Sequence, residues 1–122
     1  MFGVNKVTIV ALIMVLCILL QFNISNAATF PAGDANGWGF GMNGWPNGKT
    51  FTAGDVIEFK YQVGLHNVVK VSQDQYDSCK YTGGQVFNSG DDKITLEKGT
   101  SYFICTIGPH CSNGVKAAIT AN

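Results

Sequence analysis

Residues 100–121 read TSYFICTIGPHCSNGVKAAITA. Two runs rich in β-formers, Thr100 to Thr106 and Val115 to Ala121, flank a segment with two cysteines, one histidine and Gly108-Pro109. A Gly-Pro step ends a strand and bends the chain. The stretch therefore predicts strand, tight loop and strand, with Cys105 near the end of the first strand. Upstream, Ile57, Phe59, Tyr61 and Val63 alternate with Glu58, Lys60 and Gln62. That is the period of a strand with one buried face. After the Gly64-Leu65 break, Asn67 to Val71 continues with β-branched residues, and Ile94 and Leu96 alternate with Lys93, Thr95 and Glu97. Turn residues separate these runs at Ala53-Gly54-Asp55, Thr82-Gly83-Gly84, Gly90-Asp91-Asp92 and Lys98-Gly99. Ser72 to Ser78 is polar and predicts one short helix capped by Ser72. Short strands at this spacing predict an all-β sandwich with at most one or two short helices. The Gly-rich stretch from Gly33 to Gly48 reads as a surface loop, with Trp38 and Trp45 packed on the core.

The N-terminus reads differently. Met1 to Lys6 carries one positive side chain, Val7 to Leu20 is an almost unbroken apolar run, and Ser25-Asn26-Ala27 follows. This is a secretory signal with cleavage expected between Ala27 and Ala28. The apolar run is shorter than the ~20 residues a bilayer core requires. Residues 1–27 are thus expected to be removed, leaving 28–122 as one domain. The Asn23-Ile24-Ser25 glycosylation triplet falls in the removed part. No second hydrophobic tail follows, so a secreted product without a membrane anchor is expected.

Charge excludes some functions. The chain has eight basic residues, all lysine, and eight acidic ones. Loss of Lys6 leaves seven against eight, a net charge near −1. No basic run suits nucleic acid, and no charge block suits a membrane surface.

Cys17 leaves with the signal, and Cys79, Cys105 and Cys111 remain. One pair can form a disulfide, and the third sulfur must be free, linked to another chain or metal-bound. Only two histidines exist, His66 and His110, both beside expected strand ends. The bend at Gly108-Pro109 can bring His110 round to a metal held by Cys105. Two imidazoles and one thiolate are the donor set of a blue-copper site. Copper then accounts for the odd sulfur, with Cys105 as ligand and Cys79 paired with Cys111. Zinc also takes Cys and His, but a structural zinc site wants four protein ligands, and three remain once the disulfide forms.

The residues Tyr102-Phe103-Ile104-Cys105, Gly108-Pro109-His110-Cys111 and Gly114-Val115-Lys116, with Gly54-Asp55, His66-Asn67-Val68 and Trp38, resemble the plant phytocyanins, most of all their plantacyanin or basic blue branch. The resemblance spans the whole of 28–122. It implies a cupredoxin-like Greek-key β-sandwich or barrel. It implies one copper ion on His66, Cys105 and His110, with a Cys79–Cys111 disulfide. It also implies a monomeric one-electron carrier, not an enzyme, that meets an unidentified redox partner in the plant extracellular space or wall. Two features depart from the pattern. The weak axial donor of the family, Met or Gln, falls on Val115, which has no donor atom, and Met42 is too far upstream to be expected in its place. The near-neutral charge is also unlike a basic protein. A non-redox signalling or wall-interaction role on the same fold is the alternative reading.

Overall fold

The computed structural model describes residue 3, residues 5–23 and residues 27–122. Ser25 and Asn26 of the expected cleavage site, and Ile24 of the glycosylation triplet, lie outside the described residues. Helix α1, Lys6–Asn23, takes up the apolar run. Its residues from Val7 to Leu16 are exposed. No helix among the described residues is long and apolar enough to cross a membrane.

The strands that follow are β1 (Thr29–Pro31), β2 (Val56–Lys60), β3 (Val68–Val71), β4 (Gln85–Phe87), β5 (Asp91–Thr95), β6 (Gly99–Ile104) and β7 (Lys116–Ala121). One sheet has the order β1-β2-β5, and the other β4-β3-β6-β7. β1 runs parallel to β2, and the other pairs are antiparallel. The chain changes sheet between β2 and β3, between β4 and β5, and again between β5 and β6. These are the crossovers of a Greek-key sandwich, the expected fold class.

Alternation sets the core. Ile57 and Phe59 of β2, Ile94 of β5, Phe103 of β6 and Ala117 and Ile119 of β7 meet between the sheets. Each such large side chain stabilises the fold by roughly 1.5–3 kcal/mol. The outer face of the second sheet carries a smaller cluster of Val69, Ile104 and Cys111, covered by Tyr76 and Cys79. Tyr76 belongs to α2, Gln73–Ser78, whose cap Ser72 accepts from the Gln75 N–H while the Gln75 side chain accepts from the Ser72 N–H.

The expected strand through Val63 is shorter in fact. Pairing in β2 ends at Lys60, and Val63 is exposed. Gly64 takes a φ of +87°, and the Leu65 and His66 N–H groups both donate to the Gln62 carbonyl. A turn therefore replaces the last strand residues. Conversely, Asp91 and Asp92 begin β5 rather than closing a turn.

Candidate metal centre

The register of β3 and β6 decides where the site forms. Val69 pairs with Ile104. Just beyond the ends of these strands, one residue before β3 and two after β6, Asn67 faces Thr106. Asn67 Nδ2 donates to Thr106 Oγ1 at 2.8 Å, and the Thr106 N–H donates to Asn67 Oδ1 at 2.8 Å. His66 and Cys105, their chain neighbours, are thereby brought to the same end of the sandwich. The residue before β7 closes the third side, where the Cys105 N–H donates to the Val115 carbonyl at 3.0 Å.

The loop between β6 and β7 is wound into tight turns. The His110 N–H donates to the Ile107 carbonyl, and the Val115 N–H donates to the His110 carbonyl at 2.9 Å. This winding returns His110 to Cys105, as the Gly108-Pro109 bend requires. The Cys79–Cys111 disulfide joins the loop to the end of α2. Cys105 is a free thiol, fully buried.

The three side chains converge. Cys105 Sγ lies 3.7 Å from His66 Nδ1 and 3.6 Å from His110 Nδ1, and the two Nδ1 atoms are 3.1 Å apart. First-row metal bonds run about 2.0–2.1 Å to imidazole and about 2.3 Å to thiolate, so three donors spread evenly round such an ion stand roughly 3.5–3.8 Å apart. The triangle is close to that size, and the residues fit a metal ion. Among the described residues they are the only group of three His, Cys, Asp or Glu side chains with such geometry. His66 and Cys105 are buried, while His110 is half-buried. Burial, then the neighbouring His110, holds the His66 imidazole below its ordinary pKa, which favours the unprotonated ring a metal needs.

Comparison with known proteins agrees with the donor set. A family model described as a plastocyanin-like domain matches residues 37–115. Chemocyanin of Lilium longiflorum is 50% identical over 88% of this chain and 87% of its own length. A basic blue protein of Arabidopsis thaliana is 47% identical over 93% of this chain and 88% of its own. The solved structure of cucumber basic protein, a blue copper protein, superposes with a TM-score of 0.75 at 43% identity, covering 77% of this chain and 99% of that one. The chain belongs to the phytocyanins. The phytocyanin cofactor is copper, and His66, Cys105 and His110 have the donor chemistry of a type 1 site.

Other residues of this phytocyanin shape the site. Val115, where the family's axial donor falls, is fully buried in the core, and its backbone bonds to Cys105 and His110 on the ligand loop. The Met42 sulfur packs against Gly33, 2.8 Å from where a Cβ there would sit. Trp38 is buried, and its indole N–H donates to the Asn67 carbonyl at 2.9 Å. The Gly-rich loop is thus tied to the residue beside His66.

Two features escaped the sequence reading. The Tyr61 hydroxyl donates to Asp92, which also accepts from Ser89. Burial, then Asp92, pushes the Tyr61 pKa up to about 12. The pair braces the chain just before the His66 turn, and no spacing signalled it. Phe40 was the other omission. Its ring lies edge-on to both histidines, and its only signal was an aromatic between two glycines.

Proposed function

We propose that the protein is a secreted one-electron carrier whose copper is held by His66, Cys105 and His110. The observation that carries this reading is the convergence of one buried thiol and two Nδ1 atoms within 3.7 Å of one another. Copper bound there would supply a one-electron Cu(II)/Cu(I) couple. The protein's part is to hold the donors still. Cys105 is fixed through its own N–H on Val115 and through Asn67 on Thr106. His110 is fixed by the turn bonds on both its sides and by the neighbouring Cys111 bridge. A donor set that cannot rearrange would change little between the two oxidation states, and this keeps reorganisation small. His110 is the half-exposed member and offers a redox partner the nearest approach. Two imidazoles and one thiolate suit a single one-electron centre, so the protein passes electrons rather than converting a compound.

Secretion is part of the proposal. Residues 1–27 would be removed and 28–122 would act in the extracellular or wall space of a plant. Support comes from the signal-like run and from the exposure of α1 along Val7 to Leu16. The test is metal analysis with an optical spectrum of protein 28–122 after Cu(II) addition. One copper per chain and an intense blue colour are expected, and both are lost in Cys105→Ser. A colourless protein that binds no copper refutes the carrier. The non-redox alternative rests on Val115, since a site without an axial donor is less committed to copper.

A further inference from the structure

The segment Gly39-Phe40-Gly41 lays one aromatic ring across both imidazoles. Phe40 is 58% exposed. Its ring centroid lies 5.3 Å from that of His66 and 5.0 Å from that of His110, edge-on at 74° in each case. The two imidazoles are themselves edge-on at 4.9 Å. Three rings therefore form a closed cluster with Phe40 outermost.

The backbone holds Phe40 in that place from both sides. On one side, Trp38 donates from its indole to Asn67 and from its backbone N–H to the Lys60 carbonyl at 2.9 Å. On the other, the Met42 N–H donates to the Gly114 carbonyl at 2.9 Å, one residue before Val115. Both anchors are on segments that carry the donor residues. Gly39 passes close enough that a Cβ on it would stand 3.8 Å from His66 Nε2, and Gly41 needs a φ of +80°. A single exposed apolar residue is ordinary on a protein surface. A ring pinned at both ends and touching both histidines is not a stray one.

Three donors leave a metal ion open to a fourth ligand, and Val115 offers none. Water or a small anion would take that position unless the surroundings keep it out. We propose that Phe40 is the closing residue of the centre: its ring bridges His66 and His110, fixes their planes and denies external ligands access to the bound ion. The inference rests on the copper reading above.

The test compares wild type with Phe40→Ala and Phe40→Trp, each loaded with Cu(II). Azide is the probe ligand. The wild-type spectrum should not respond to azide, whereas Phe40→Ala should show a new azide-dependent band. Copper affinity, measured by competition with EDTA, should fall by about 10- to 100-fold in Phe40→Ala. Phe40→Trp should restore both properties. In the metal-free proteins, proton NMR should show the ring signals of both histidines shifted by loss of the Phe40 ring. Because Phe40 is exposed between glycines, Phe40→Ala should keep the wild-type circular dichroism. A Phe40→Ala protein with wild-type affinity and no azide response overturns the closing role while leaving the copper reading intact. A wild type that takes up no copper overturns both.

Discussion

Val115 has a carbon-only side chain at the one position where its relatives' pattern expects a weak donor. Its backbone clamps Cys105 and His110, so the position is structurally needed whatever its side chain. An axial donor adds electron density that favours Cu(II), and its loss should raise the reduction potential. Val115→Met is therefore expected to lower the potential measured by redox titration. An unchanged or higher value contradicts the argument. Because Val115 is fully buried, the larger side chain should also cost about 1–3 kcal/mol of stability from overpacking. Asn67 acts at one remove. Its amide spans the gap to Thr106 with two hydrogen bonds of 2.8 Å and so orients the residue beside the thiol. Asn67→Ala should lower copper affinity by about 10- to 100-fold. Equal affinity and an equal spectrum in wild type and variant would dismiss that role.

At the level of elements, legibility in the sequence followed the strength of the local signal. The alternation of Ile57 and Phe59 with Glu58 and Lys60, and the Ser72 cap of α2, are short-range patterns and appear as read. β1 and β4, three residues each, are defined by their partners Val56–Glu58 and Val68–Lys70 rather than by their own composition. Cys105, His110 and Cys111 were legible because seven residues hold all three, and His66 because only two histidines exist. Phe40 was not legible, since its role depends on where Trp38 and Met42 are tied, and those bonds cross between distant segments. The disulfide couples two of these elements. It links the end of α2 to the His110 loop across a sequence separation of 32, which the chain-entropy estimate values at roughly 3–4 kcal/mol. Replacing Cys79 and Cys111 together by serine should lower the unfolding free energy by about that amount in denaturant titrations. It should also weaken copper binding, because Cys111 adjoins His110. Loss of stability with unaltered copper affinity would mean the turns alone fix that histidine.

For the molecule as a whole, the proposed cleavage between α1 and the sandwich would join processing to stability. The Ala28 N–H donates to Asp55 Oδ1 at 3.0 Å, and the Thr52 N–H donates to Oδ2 at 2.8 Å. Asp55 is buried at 5% exposure. The Ala28 bond first, and the Thr52 bond second, hold its carboxyl below the usual range. The folded state thus binds this proton less readily than the unfolded chain, so the contribution is intact above about pH 3.9. It is lost as pH falls through the lower folded value. Cleavage before Ala28 would turn the amide donor into an α-ammonium facing the same carboxylate. A neutral donor would become a charged one, and charge-assisted hydrogen bonds are roughly twice as strong. The chain 28–122 should therefore melt higher than residues 1–122 at neutral pH. Asp55→Ala should cost both forms about 1.5–3 kcal/mol, with the larger loss in the cleaved form. The cleaved form's advantage should fade above about pH 8, where an α-ammonium ordinarily releases its proton. Thermal melts of the four proteins across pH decide it. Equal losses in the two forms would show that Asp55 reads only a backbone N–H. A larger loss in 28–122 would mean that the sandwich is completed by the cut that frees it.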